Sequence, residues 1–185
     1  MIKLLLQKRL FLILAFSMSF VVLVSNYLVQ FPIHYFKLEN VLTYGAFTYP
    51  VAFLITDLTN RQHGKEMAKK IVYIGFALGI TFTLFFSTNF SDLISIRIAF
   101  ASGVAFLFAQ LTDVRIFDKF RYKKWFVPPL ISSLVGSTID TFIFFSIAFY
   151  GTELNWITLG LGDLFVKILM AIFMLIPFRI IINKI

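Results

Sequence analysis

The sequence has 185 residues, of which 59 % are hydrophobic and 14 % are charged, with a mean hydropathy of +0.90. Soluble domains are about 45 to 50 % apolar and about 25 % charged, so this composition excludes a soluble, disordered, coiled-coil or collagen-like chain and indicates an integral membrane protein. Cysteine is absent, which excludes disulfides and Cys-ligated metals, and the net charge of +8 is interpreted through membrane topology rather than as a sign of a nucleic-acid partner.

Six apolar runs predict six transmembrane helices in an all-α fold, with a single domain over residues 1–185. Each run is long enough to cross a hydrocarbon core of about 30 Å as a helix. A helix also satisfies its own backbone polar groups where no water is present. The predicted spans are residues 10–30, 41–59, 71–88, 96–112, 125–150 and 156–178.

Basic residues are distributed unevenly between the connections. Fourteen Lys and Arg residues lie before the first run, between the second and third, between the fourth and fifth, or after the last, whereas the opposite connections contain only Lys37. Because cytoplasmic loops are enriched in Lys and Arg, this predicts a multi-pass membrane protein with both termini in the cytoplasm. A signal peptide is not expected, because the first run is long and no small-x-small cleavage site follows it.

The first two runs and the fourth contain polar residues at membrane depth. Asn26 lies in the first run, and Asp57 lies toward the cytoplasmic end of the second. The dipeptide Thr56-Asp57 recurs as Thr112-Asp113 at the end of the fourth run, as a parallel repeat would produce. We favour the simpler interpretation that each Asp pairs with a nearby Arg in the headgroup region.

The third and fourth runs contain packing signals and two further polar candidates. Gly75 and Gly79 form a GxxxG pattern that predicts helix association, and they are a candidate face for a homodimer. Arg97 lies at the outer end of the fourth run and Gln110 lies deeper. Alanines at spacing four precede Gln110 and predict close packing; these are Ala101, Ala105 and Ala109.

The last two runs contain the deepest charges. Asp140 and Lys167 lie near the middle of their runs, where each charged residue costs roughly 2.5 to 3.5 kcal/mol on insertion scales. They are therefore the strongest candidate site residues. Asp163 and Lys167 are four residues apart, so they share a helical face and can also neutralise each other as an intrahelical pair. Small and polar residues surround Asp140 on its own face, among them Ser132, Ser133, Gly136 and Ser137.

The sequence lacks the residues that several kinds of catalytic or metal site require. Only His34 and His63 are present, in connections on opposite sides, so the sequence predicts neither a zinc or haem site nor a Ser-His-Asp triad at membrane depth. A GxxxxGK[ST] phosphate loop is absent. We therefore expect neither a cofactor nor an enzymatic activity. A channel is less favoured, because buried charges of opposite sign are not typical of pore linings.

Several segments are unusual for generic membrane helices. They include Thr56-Asp57-Leu58-Thr59 at a helix end and Asp140-Thr141 followed by Phe144-Phe145. Further such segments are Ser25-Asn26-Tyr27-Leu28-Val29-Gln30, Gly45-Ala46-Phe47-Thr48-Tyr49-Pro50, Arg97-Ile98-Ala99, Gln110-Leu111 with Asp113, and Asp163 with Lys167. Together they resemble the queuosine precursor transporters, once grouped as a vitamin uptake family, and the resemblance covers all six spans in order. Leu164 stands where the family pattern has an aromatic residue.

The resemblance implies uptake of 7-cyano-7-deazaguanine and its aminomethyl relative for tRNA modification. A guanine-like edge presents adjacent N–H donors that one carboxylate accepts, and a carbonyl that cationic or amide groups meet. We assign the N–H edge to Asp140 or Asp163, and the carbonyl or cyano group to Lys167 with Gln110 or Asn26. Arg97 and Asp57 are assigned as gates or charge balance. The ring would stack on aromatic side chains, of which Phe alone supplies 25.

Two questions stay open at this level. Transport is either facilitated diffusion, made one-way by incorporation into tRNA, or proton-coupled through a buried Asp. The alternative function is a substrate-binding membrane component of an energy-coupling-factor importer, which captures a small planar heterocycle or vitamin for a separate ATP-driven module.

Overall fold

The structure, a computed structural model, describes residues 2–35, 42–86 and 88–184, with side chains in the first helix from Arg9 onward. The described residues form seven helices and no β-strand, which confirms the predicted all-α fold. The helices are α1 (Ile2–Leu28), α2 (Gly45–Thr48), α3 (Pro50–His63), α4 (Lys65–Phe86), α5 (Leu93–Phe120), α6 (Val127–Phe149) and α7 (Trp156–Ile182).

Five of the described helices are long and apolar enough to cross a membrane: α1 from Arg9, α4, α5, α6 and α7. Their ends depart from the apolar runs, most clearly in α5, which extends to Phe120 although the run ends at residue 112. The reason is that apolarity marks only the part of a helix that lies in hydrocarbon. Polar residues such as Arg115 and Lys119 continue the backbone hydrogen bonding beyond it.

The predicted second span, residues 41–59, is not one continuous helix. Val41 lies outside the described residues, and the remainder forms the short α2 and the 14-residue α3, joined at Tyr49. Pro50 causes the division, because proline lacks a backbone N–H and is favoured in the first turn of a helix. As a result, the buried Tyr49 lies at the junction of two helices, where its side chain contributes to the site described below.

Small residues allow the helices to approach closely. Ala101, Ala105 and Ala109 are at most 1 % exposed, which confirms the predicted close packing of α5, whose most extensive neighbour is α6. Gly75 and Gly79 pack against α1: a Cβ on Gly75 would lie 2.2 Å from Met18 Cγ, and one on Gly79 would lie 2.8 Å from Val22 Cγ1. Helix association is thus confirmed, but this face is covered within the chain, so it is not the homodimer face that the pattern suggested.

The predicted pairing of Asp57 and Asp113 with nearby arginines is wrong. Arg61 instead donates from Nη1 to the carbonyl oxygen of Arg121 at 2.8 Å. Arg121 contacts Asn60 and forms a salt bridge with Asp118 at 3.1 Å. Arginine reaches the polar helix ends here because its long side chain extends toward water. The two aspartates remain buried between the helices, at 2 % and 0 % exposure.

Candidate functional site

A buried cluster of one lysine and two aspartates joins α6 to α7. Lys167 Nζ lies 2.8 Å from Asp140 Oδ2 and 2.5 Å from Asp163 Oδ2, and all three side chains are at most 5 % exposed. Lys167 also donates to Thr141 Oγ1 at 3.3 Å. An ammonium group has three donors, so each donor of Lys167 has an acceptor within the cluster. Two carboxylates around one ammonium leave one negative charge in excess.

Helix periodicity places these groups. Asp163 and Lys167 lie four residues apart on α7 and therefore project from one face, as the sequence predicted. Asp140 and its neighbour Thr141 approach from α6, and the Thr141 hydroxyl donates to Asp163 Oδ2 at 2.8 Å. Thr141 therefore links the two helices by accepting from Lys167 and donating to Asp163. These hydrogen bonds and ion pairs offset part of the cost of burying the charges, since an unpaired charge is strongly disfavoured away from water.

The cluster forms one wall of a cavity with about 320 Å³ of empty space, including the open space at its mouth. The Tyr49 hydroxyl and the Asp140 carboxyl are neighbours at this cavity, yet Tyr49 Oη and Asp140 Oδ1 each lack a hydrogen bond of good geometry among the described residues. An acceptor and a hydroxyl therefore remain for a bound molecule. The lining comprises Ser25, Asn26, Val29, Gly45, Tyr49, Ser102, Asp140, Phe144, Asp163 and Lys167.

The opposite wall comes from α1 and α2. Ser25 Oγ and Thr48 Oγ1 are 2.9 Å apart, which ties the end of α1 to α2. Asn26 donates from Nδ2 to Thr83 Oγ1 on α4 at 3.0 Å. This hydrogen bond uses one N–H of the amide, and an asparagine side chain has a second N–H and a carbonyl oxygen with which to meet a ligand.

Aromatic rings complete the cavity. Lys167 Nζ lies 5.1 Å from the centre of the Tyr49 ring, a cation–π contact that fixes the ring beside the charges. Tyr49 also makes an edge-on contact with Phe106 at 6.3 Å between ring centres. Phe144 lines the cavity and packs edge-on against Phe145 at 5.1 Å. Flat aromatic surfaces of this kind suit a planar heterocycle.

Four of the sequence-predicted candidates, Asn26, Asp140, Asp163 and Lys167, therefore line one cavity. The other three lie outside it. Gln110 is fully buried and accepts from Thr56 Oγ1 through Oε1 at 2.6 Å. Arg97 donates to the carbonyl oxygens of Ile147 and Tyr150, both at 2.8 Å from Nη2, and so caps the last turn of α6. Asp57 accepts from two serine hydroxyls in a second cavity.

Sequence reasoning did not include Tyr49, Ser102 and Thr141 among the candidates. Tyr49 and Thr141 lie in the segments that resemble the transporter family, so their neighbours Pro50 and Asp140 carried a usable signal. Ser102 has no such signal, because a lone serine in an apolar helix is common. Its place in the cavity follows from the rotation of α5, which only the packed structure fixes.

Comparisons with known proteins identify relatives of this chain. The family model described as "Putative vitamin uptake transporter" matches residues 43–182. A protein of Haemophilus influenzae named "Probable queuosine precursor transporter" is 34 % identical over 200 aligned residues, covering 92 % of this chain and 85 % of the relative. The "Queuosine precursor transporter" of Escherichia coli K12 is also 34 % identical, covering 83 % of this chain and 77 % of the relative.

A third relative, the "Probable queuosine precursor transporter" of Bacillus subtilis, is 30 % identical, covering 59 % of this chain and 57 % of the relative. No solved structure matches the chain. The relatives are named as transporters, which confirms the predicted class over an enzyme. The match to the family model and the two long alignments show that this chain belongs to the queuosine precursor transporter family of multi-pass membrane proteins.

Proposed function

We propose that this protein imports the queuosine precursors 7-cyano-7-deazaguanine and its 7-aminomethyl form across the bacterial inner membrane. One observation carries the proposal: a buried Asp140–Lys167–Asp163 cluster faces a cavity in which Asp140 retains an unpartnered carboxylate oxygen. Such a group within the membrane is a functional site by default, because its insertion is costly. The names of the relatives support the substrate class.

Asp140 is the proposed acceptor for the N–H edge of the deazaguanine. A carboxylate accepts two parallel N–H bonds, and Asp140 Oδ1 is unpartnered in this structure. Asp163 is already engaged by Lys167 and Thr141 through Oδ2. We therefore assign Asp163 to the neutralisation of Lys167 rather than to the ligand.

Lys167 is proposed to position Asp140 rather than to bind the ligand carbonyl, since its three donors already have acceptors. Asn26 and the Tyr49 hydroxyl, which also line the cavity, are the proposed partners of the carbonyl or the 7-substituent. Gln110 and Arg97 bond to other groups outside the cavity, so they have no place in this binding scheme.

The electrostatics of the cluster suit both precursor forms. Its excess negative charge attracts the N–H edge that both forms share. It also favours the ammonium of the aminomethyl form, which in a low-dielectric site interacts with charge more strongly than in water. In the proposed orientation the positive connections and both termini face the cytoplasm.

The first test is accumulation of queuosine in the tRNA of bacteria that neither synthesise nor import the precursor, with and without this chain. Restoration at low external 7-cyano-7-deazaguanine is the expected result. The purified protein alone in liposomes should exchange the same compound, because the proposal requires no ATP-driven partner. Absence of exchange by a folded protein that still binds the compound would instead identify a substrate-binding component.

The second test is Asp140→Asn, which keeps the shape of the side chain and removes the charged acceptor. Loss of a hydrogen bond to a charged group corresponds to about 1.5 to 3 kcal/mol, or roughly 10- to 100-fold in affinity. The matched control is Asp92→Asn, in which an exposed N-cap aspartate of α5 is replaced by an equally good cap. Unchanged binding by folded Asp140→Asn would contradict the assignment.

A further inference from the structure

A second pair of buried aspartates lies closer to the predicted cytoplasmic ends of the helices, and no cationic side chain among the described residues pairs with it. Asp57 on α3 and Asp113 on α5 face each other at hydrogen-bonding range and are 2 % and 0 % exposed. Ser132 and Ser133 donate to Asp57 Oδ1 and Oδ2 at 3.1 and 3.3 Å. Neither oxygen of Asp113 receives a hydrogen bond from the described residues.

The charged groups on the surrounding helices are engaged elsewhere. No described Lys, Arg or His forms an ion pair with Asp57 or Asp113. On α3 and α5, Arg61 donates to a backbone carbonyl, Arg115 is exposed, and Asp118 pairs with Arg121 and Lys65. On α6 and α7, Asp140 and Asp163 pair with Lys167. Arg179 on α7 stacks on Trp125.

Two adjacent buried carboxyl groups without a cation cannot both carry a charge, because like charges at this distance repel strongly in a low-dielectric medium. One proton shared by the pair removes the repulsion. Ser132 and Ser133 donate to Asp57 from one side, and the shared proton lies between the two carboxyl groups.

A row of hydroxyl groups on α6 runs from this pair toward the substrate cavity. Ser133, Ser137 and Thr141 lie four residues apart on α6 and therefore form a row on one face. Ser133 donates to Asp57, and Thr141 donates to Asp163. Ser137, between them, is 1 % exposed, and its hydroxyl has no partner among the described residues. It lines the same small cavity as Asp57 and Ser133.

We propose that Asp57 and Asp113 form the binding site for a coupling proton, which the α6 hydroxyl row links to the substrate cavity roughly 12 Å away along the helix. A proton would enter with each substrate molecule, bind to the pair and leave to the cytoplasm. The coupling part of this inference rests on the proposed function, whereas the proton-binding part does not.

The proton itself is tested without substrate. Infrared spectra of the purified protein at neutral pH are expected to contain the C=O stretch of a protonated carboxyl, which is lost in Asp113→Asn and retained in the Asp92→Asn control. Asp57→Asn serves as a second variant and should also change this band, since it removes the other member of the pair. A wild-type band that neither variant changes would overturn the proposal, even if deazaguanines were not the substrate.

Coupling is tested in proteoliposomes with labelled 7-cyano-7-deazaguanine. An inside-alkaline pH gradient should drive wild-type accumulation above the external concentration. Asp113→Asn should bind and exchange the compound at equal pH but only equilibrate it under the gradient. Accumulation by Asp113→Asn equal to wild type, or wild-type accumulation driven by a sodium gradient at equal pH, would overturn the proton assignment. Failure of wild type to bind or exchange the compound would instead count against the proposed substrate.

Discussion

At the scale of single residues, Lys167 has the most demanding environment. It lies at 4 % exposure in the membrane-spanning part of α7 and contacts Asp140, Asp163, Thr141 and the Tyr49 ring. Its ammonium compensates two carboxylates at once. Removing it should therefore affect the rest of the cluster more than removing either acid.

Lys167→Met tests this dependence. The substitution leaves Asp140 and Asp163 adjacent and uncompensated, and breaking a buried pair in this way costs about 3 to 5 kcal/mol. We expect a lower midpoint of thermal unfolding in detergent. Adding Asp163→Asn to Lys167→Met should recover part of the loss, because it removes one of the two repelling charges. Strictly additive losses in this double-mutant cycle would show that the residues do not interact.

At the scale of helices, packing depends on a few small residues. The contact between α1 and α4 is possible because Gly75 and Gly79 leave space for Met18 and Val22. This contact holds the end of α1, with Ser25 and Asn26, against the cavity. The glycine pattern therefore acts on the site indirectly, through the position of α1.

Gly75→Ala tests the close approach. Its Cβ would lie 2.2 Å from Met18 Cγ, so the helices must separate, and such overpacking costs typically about 1 to 3 kcal/mol. We expect a lower unfolding midpoint that the second substitution Met18→Ala restores. Gly160→Ala is the control, because its Cβ would only meet Phe145 at an ordinary contact distance of 3.5 Å. Equal behaviour of the two alanine variants would contradict the packing argument.

At the scale of the whole molecule, the arrangement separates two acidic centres along the bundle. The substrate cavity lies beside the start of α3 and the first half of α7, whereas the Asp57–Asp113 pair lies near the last turns of α3 and α5. The predicted orientation places the first centre nearer the outside and the second nearer the cytoplasm.

The absence of native cysteine allows the orientation to be measured by labelling single introduced cysteines in whole cells. Tyr122, between α5 and α6, and Glu153, between α6 and α7, are both exposed. A membrane-impermeant maleimide should label Glu153→Cys and reach Tyr122→Cys only after the cells are opened. The reverse pattern would show that the termini face outward and that the proposed orientation is wrong.

The sequence by itself determined the class of fold and the chemical content of the site. Apolar runs predict helices because the bilayer forces the backbone to satisfy its own hydrogen bonds. Deep charges such as Asp140 and Lys167 identify candidate site residues because inserting a charged side chain into the bilayer is costly. The spacing of Asp163 and Lys167 predicted their contact for the same local reason, since four residues return to one helical face.

Tertiary structure alone decided which polar residues meet. Gln110 and Asn26 are equally polar, yet only Asn26 lines the cavity, because the rotation of each helix is set by packing against its neighbours. The expected Asp–Arg pairs failed for a related reason: arginine extends to the polar helix ends, whereas Asp57 and Asp113 are too short to follow it and meet each other between α3 and α5. Such contacts join residues far apart in sequence, so the local sequence pattern around each residue does not predict them.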